Sequence, residues 1–331
     1  MHMANSLLSP AVCGVMLAAS AGGVSYSVAK VDKEELRKKV PMMAAAGAFV
    51  FAAQMVNYAI PGTGSSGHIG GGILLAALLG PFASLITIAA VLIIQALFFA
   101  DGGLLALGCN IFNMGILPCL LVYPLVFKPL TQKGTSMLKI AGASVLSVVL
   151  GLQLGAFGVV LQTQASGITE LPFATFAGLM QPIHLAIGAI EGVITALVLG
   201  MVYKMNAGTL SGSSKTETAG SYRNVVITLA VAAVLVGAGL SLAASSSPDG
   251  LEWAISNVTG GELSAQGAIF DWAEGLQDAT SFMPDYDFAA GTGSGTSVAG
   301  LVGAALTAVL AGGAGLLMIR ARRRTADAAS R

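Results

Sequence analysis

The sequence predicts an all-α integral membrane protein: a seven-helix bundle followed by two further transmembrane helices that flank a small extracytoplasmic segment. Three observations predict it. Aliphatic, aromatic and cysteine residues make up 55% of the 331 residues and charged residues only 10%, against roughly 25% charge in a soluble domain; mean hydropathy is +0.81. Apolar runs recur along the chain at lengths near the roughly 20 residues that a crossing helix needs. All sixteen Lys and Arg residues fall in four segments, Lys30–Lys39, Lys128–Lys139, Lys204–Arg223 and Arg320–Arg331, as the positive-inside rule would sort them.

In order, the apolar runs are Leu7–Ala29, Pro41–Ala59, a short Ile69–Leu79, Phe82–Phe99, Leu104–Phe127, Ile140–Leu161, Ile183–Tyr203, Val225–Ala244 and Val298–Ile319. Crossings that start outside place every basic segment in the cytoplasm and leave both the N-terminus and the loop around His68 outside. The first run lacks the basic n-region of a signal peptide, and the large His2 behind Met1 disfavours trimming of the methionine, so Met1 is expected to persist. Ile69–Leu79 is too short to span and must be a half-helix buried among its neighbours. The expected organisation is a bundle over 1–205, a cytoplasmic Gly/Ser/Thr-rich linker over 206–221 and an accessory module over 222–331. Within that module, 245–297 is an external segment holding Asp249, Glu252, Glu262, Asp271, Glu274, Asp278, Asp285 and Asp287 and no basic residue. Such a surface raises the local concentration of cations, or is simply a solvated loop.

Composition also excludes. Cys13, Cys109 and Cys119 are odd in number and lie in apolar runs, so they read as core residues. No phosphate-binding GxxxxGK[ST] loop occurs, so ATP is not hydrolysed here by that route. Nothing points to nucleic acid or to an organic cofactor.

The chemistry concentrates at the outer face. In "MHMANSLLSPAV", the amine of Met1, the backbone nitrogen of His2 and its Nδ1 can close fused five- and six-membered chelate rings, and His68 in "IPGTGSSGHIGGG" can supply a fourth nitrogen. A planar nitrogen set suits Ni(II) or Cu(II), and capture should weaken in acid because amine and amide must lose protons. Glycines around His68 allow backbone to fold closely over a ligand, and a neighbouring broken helix is a common lining of transporter sites. Polar residues inside spans are costly. Asn57, Ser66, Gln95, Asn110, Asn113 and His184 are candidates for orienting the ligands, or for interhelical hydrogen bonding alone. His184 and Glu191, seven apart, share a helix face, Glu191 roughly 10 Å deeper. Gly14, Ala18 and Gly22 form a ladder for close helix approach, within the bundle or to a partner. "GSSGH" also offers a competing enzyme reading, an intramembrane serine hydrolase with Ser66 as nucleophile and His184 as base. A non-transporting membrane sensor is the third alternative.

"MHMANSLLSPAV", "GTGSSGHIGGGILLAALLGP", "QALFFADGGLLALGCNIFNMG" and "HLAIGAIEG" resemble the substrate-capturing membrane subunits of energy-coupling factor ABC transporters for nickel and cobalt, the CbiM/NikM type. "PDGLEWA" and "FMPDYDF" resemble the PDGLE accessory module of the same systems. The resemblance implies a seven-helix bundle in a bacterial or archaeal cytoplasmic membrane. It implies that Ni²⁺ or Co²⁺, the latter for cobalamin biosynthesis, is transported substrate held by Met1, His2 and His68. It also implies a transmembrane coupling subunit and cytoplasmic ATPase subunits as partners, which would explain the missing ATPase motif. Nickel is favoured because four coplanar nitrogens suit it. Position 5, often Asp in that family, is Asn5 here and would have to hold the N-terminal segment as a neutral hydrogen-bond partner.

Overall fold

The structure, a computed structural model, describes residues 1–132, 135–210, 219–261, 263–288 and 295–329. Linker residues 211–218 and Glu262 of the acidic segment lie outside the described residues. Among those described, seven helices are long and apolar enough to cross a membrane. The chain runs through α1 (Pro10–Lys30), α2 (Lys33–Gln54), the two-residue strands β1 (Tyr58–Ala59) and β2 (Ser66–Gly67), and α3 (Gly72–Phe98). Next, α4 (Leu107–Ile111) continues through a π-wound stretch, Phe112–Phe127, into α5 (Lys128–Gln132). The remainder is α6 (Met137–Ser166), α7 (Phe173–Met205), α8 (Ala219–Ala238), α9 (Gly250–Thr259), α10 (Ala268–Thr280) and α11 (Thr296–Ala329).

Two expected runs end early. The second stops at Gln54 rather than Ala59, because Tyr58–Ala59 pairs antiparallel with Ser66–Gly67 and closes the glycine-rich loop as a small hairpin. The eighth stops at Ala238 and tightens into a 3₁₀ turn over Leu240–Ala243.

The half-helix and the run after it form one element broken at Gly80, whose φ of 75° and ψ of 172° are outside helical values. Glycine adopts that conformation without a Cβ clash, and Pro81 opens the next helix where no N–H is needed. A straight helix of this length would be about 40 Å long. Instead both ends meet: Gln54 Nε2 donates to the Gly70 carbonyl at 2.9 Å and accepts on Oε1 from Gln95 Nε2 at 2.8 Å. The chain therefore dips into the bundle and returns. Every residue from Gly72 to Gly80 is buried, which keeps the interrupted backbone away from lipid.

α8 and α11 pack on each other and on α2. Glycine lets them close up: a Cβ on Gly300 would sit 2.2 Å from the Gly237 carbonyl oxygen, and one on Gly303 2.0 Å from the Phe51 ring. On α1 the buried residues are Cys13, Ser20 and Ser27, and nothing lies within 4 Å of a Cβ added at Gly14 or Gly22. The small-residue ladder thus faces away from the bundle. At one end the start of α8 meets α2, where Tyr222 Oη donates to the Lys38 carbonyl at 2.7 Å, and the end of α7 meets the residues before α6, where Tyr203 Oη donates to the Thr135 carbonyl at 2.8 Å. The opposite end holds Met1, the hairpin loop, the α3–α4 turn, α9 and α10.

Candidate metal-binding site

The N-terminal arm is threaded into this second end and buried: Met3 and Leu8 are fully buried. Its backbone is held residue by residue. Asn110 Oδ1 accepts from the Met3 N–H at 2.8 Å, Asn110 Nδ2 donates to the Met3 carbonyl at 3.3 Å, and Gly103 N–H donates to the same carbonyl at 2.9 Å. Asn5 Oδ1 accepts from the Leu105 N–H at 2.9 Å, so position 5 works here as a neutral acceptor. Gly103 has to be glycine because an added Cβ would lie 2.2 Å from Asn5 Oδ1 and 2.4 Å from the Asn5 nitrogen.

Fixing the arm brings the distant histidines together. The His2 and His68 rings stack with centroids 5.1 Å apart and planes 20° apart, and the Met1 amine is 3.0 Å from His68 Nε2. His68 Nδ1 lies 3.0 Å from the Ile69 carbonyl. A carbonyl only accepts, so Nδ1 carries the proton and Nε2 keeps its lone pair toward the amine. The same logic bears on His2. Since the Gly70 carbonyl takes an N–H from Gln54, and Gln54 Oε1 takes one from Gln95, Gln95 must turn its oxygen to His2 Nε2, 3.2 Å away. The amide chain favours the proton on His2 Nε2, whereas the Asp101 carboxylate 3.2 Å from Nδ1, the atom that can close a ring with the backbone, favours it on Nδ1, so both ring nitrogens face an acceptor. The His2 backbone N–H makes no hydrogen bond among the described residues.

Electrostatics suit metal donors. Burial above all, and the terminal ammonium next, push the His2 and His68 imidazoles down to about 3, so both are neutral at physiological pH. Two carboxylates complete the surroundings. Asp101, in the α3–α4 turn, lies 3.2 Å from His2 Nδ1 and accepts a hydrogen bond from Tyr286. Asp249 Oδ2 pairs with the Met1 ammonium at 2.5 Å and is 4.0 Å from His68 Nε2. Burial works against the charged form of Asp249, but the terminal ammonium and then His68 hold its pKa well below the usual carboxylate range. Among the described residues no three His, Cys, Asp or Glu side chains are spaced as a metal cage; a nitrogen set here depends on main-chain donors.

The remaining candidates fall at different distances. His184 lines a small pocket with Met1, His68 and Gly250, and its Nδ1 is 2.8 Å from the Met180 carbonyl. Glu191 Oε1 accepts from the Gly71 N–H at 2.9 Å, fixing the loop end after His68. Asn113 exchanges two hydrogen bonds with Gln162, at 2.8 and 3.0 Å, and supports Met3 from below rather than touching the histidines. Asn57 is half-buried and, among the described residues, only its carbonyl is engaged, by the Ser245 N–H at 2.7 Å, because the helix ends before it; its side chain is not part of the cluster. Ser66 Oγ donates to the carbonyls of Ser247 and Pro248 at 2.7 and 3.2 Å. With that hydroxyl so committed and His184 Nδ1 on Met180, the pair makes no nucleophile–base hydrogen bond.

Sequence reasoning missed the two carboxylates and the role of Gln54. Asp249 stood only as one of eight acids in the outer segment; the signal in "PDGLE" is its D-x-x-E helix cap, which accounts for one oxygen and is silent on the other. The module reaches the site through several ties: Ser66 N–H to the Pro248 carbonyl at 2.7 Å, Trp253 Nε1 to that of Thr63 at 2.9 Å, and Gln277 Nε2 to those of Ala96 and Gly102, each at 2.8 Å. Between module and bundle lies an open cleft whose lining includes His2, Asp101, Glu252, Glu274 and Asp285.

Residues 2–208, more than half of the chain, match the family described as cobalt uptake substrate-specific transmembrane region. The chain belongs to this family. It is thereby a multi-pass membrane component of metal-ion uptake, and residues 223–320 match the PDGLE domain. The fused nickel transport protein NikMN of Rhodobacter capsulatus is 28% identical over 276 residues, covering 78% of this chain and 77% of that protein. A protein of Lactiplantibacillus plantarum described as a probable fused nickel transport protein, LarMN, is 32% identical over 217 residues, 62% of this chain and 65% of that one. Among solved structures, a truncated transition metal transporter superposes with a TM-score of 0.54 at 31% identity, covering 62% of this chain and 99% of that chain.

Proposed function

We propose that this chain captures Ni²⁺ or Co²⁺, Ni²⁺ by preference, as the substrate-binding component of an energy-coupling factor ABC transporter. The ion is held by the Met1 amine, the amide nitrogen and Nδ1 of His2, and Nε2 of His68. The observation that carries this reading is the placement of the Met1 amine 3.0 Å from His68 Nε2, with a hydrogen bond at Nδ1 that leaves His68 Nε2 as the lone-pair atom. The nickel transport assigned to the relatives' names supports the cargo.

The site end faces the cell exterior and the basic end the cytoplasm, where the coupling subunit and ATPase subunits engage. Residues 1–205 form the capturing bundle, 206–221 the linker and 222–331 the accessory module, whose carboxylates draw cations toward the cleft above His2. Binding exchanges one proton of the ammonium and one of the amide for a dication, so the buried site carries the same net charge before and after.

Inserting one Gly between Met1 and His2 breaks the fused rings without altering the bundle. Purified protein should then lose its bound nickel by elemental analysis, and cells carrying it with its coupling and ATPase subunits should stop accumulating the metal. Retained nickel in the insertion variant would refute the chelate.

A further inference from the structure

We infer that Asp249 of the accessory module is the first-contact ligand of the metal site, an oxygen donor that holds the arriving ion in the corner the His2 amide nitrogen later takes. The inference rests on the chelate proposed above.

Three atoms carry it. The Met1 nitrogen stands 2.5 Å from Asp249 Oδ2 and 3.0 Å from His68 Nε2, while Oδ2 and Nε2 are 4.0 Å apart. These lengths make a triangle with nearly a right angle at the amine, that is, three corners of a square. An ion midway along the diagonal would be about 2 Å from all three atoms, the length of a nitrogen or oxygen bond to a first-row dication. In the finished chelate, the fused rings place the His2 amide between the amine and Nδ1 and so opposite His68. Asp249 Oδ2 occupies that corner now.

The carboxylate is built for the role. Its Oδ1 is spent on the cap of α9, accepting from the Leu251 and Glu252 N–H groups at 2.8 and 2.9 Å. Oδ2 is turned the other way, and the side chain is only 15% exposed. Met1 amine, His68 and Asp249 can take an ion once the ammonium has released one proton to water, without ionising an amide. The exchange then breaks the metal–Oδ2 bond and forms the metal–amide nitrogen bond, the amide proton leaving to water. Nickel completes the exchange readily. Cobalt, which displaces amide protons less readily, stays longer on the carboxylate and depends on it more.

The test is stopped-flow loading of the purified full-length chain with Ni²⁺ and with Co²⁺, followed by ultraviolet–visible absorption, for the parent, D249N and E252Q. Asparagine still caps α9, so D249N keeps the fold, checked by circular dichroism. E252Q removes the same charge one turn on while preserving the capping box. D249N should slow nickel loading by about tenfold or more yet reach the parent's final spectrum, and should weaken Co²⁺ binding at equilibrium by at least about tenfold. E252Q should slow loading much less. Parent-like loading by D249N, or equal slowing by E252Q, overturns the inference and leaves the chelate standing. A parent chain that binds no nickel overturns both.

Discussion

Replacing Gln95 by Met tests whether a buried chain of amides decides which nitrogen of His2 meets the metal. The side chain is fully buried and bridges His2 Nε2 at 3.2 Å and Gln54 at 2.8 Å. Methionine fills similar volume and makes neither bond. The Gln54 carbonyl oxygen is then left buried without a donor, a loss of about 1–3 kcal/mol in stability. His2 loses the partner of its Nε2, and outer partners of metal-bound histidines give about 10–100-fold in affinity, or about 1.4–2.8 kcal/mol. Gln54→Met keeps the contact to His2 but frees Gln95 to rotate and offer its NH₂ group instead, so it should weaken nickel in the same direction by less. The assay is competition of purified variants against a chromophoric chelator, with thermal unfolding alongside. Parent affinity in Gln95→Met, or no effect at all from Gln54→Met, would show that the amide chain does not set the ligand.

Further expectations follow from the same contacts. Asn110→Ala strips the buried Met3 backbone of two of its hydrogen bonds. It should lower stability by about 1–3 kcal/mol and release bound nickel, read by thermal shift and elemental analysis. Gly103→Ala drives a Cβ into Asn5 and should expel the arm, so that protease cleaves the first residues while the helical content by circular dichroism stays. The pH response has a definite sign. His2 and His68 have folded pKa values of about 3, below the unfolded value near 6.5. The unfolded chain therefore binds more protons between these limits. Stability of the metal-free protein is fully present above about pH 6.5 and falls as pH drops toward 3, which a Tm series from pH 7.5 to 5 would register. His2→Gln should flatten that slope.

Much of the fold was legible because membranes impose it. Charge sorting fixed which loops share an end, and the shortness of Ile69–Leu79 required a buried half-helix, which Gly80 and Pro81 supply. The meeting of Met1, His2 and His68 followed from the same bookkeeping of ends, since loops on one face have few places to go. Side-chain partnerships were less readable. Gln95 is among the residues expected to orient the ligands, but its hydrogen bond to His2 depends on Gln54 standing across from it. Asn57 and Asn113 read as equivalent to Asn110 because each is an amide inside or at the end of an apolar run. Only Asn110 is in register with the Met3 backbone, and register is a property of packed helices. Asp249 was hidden for another reason: a helix cap uses one carboxylate oxygen, and no pattern in the chain tells where the second points.

That divided carboxylate has an outcome beyond binding. Asp249 grips the first amides of α9 with one oxygen and the amino end of the chain with the other. Any ion that takes the ammonium's protons leaves the second oxygen without that partner and so changes what restrains the plane that holds the first. Cargo arrival would thus be written into the deuterium protection of Leu251 and Glu252, two amides in a part of the protein that contributes no nitrogen to the chelate. An empty and a filled bundle could be told apart by watching the neighbour alone.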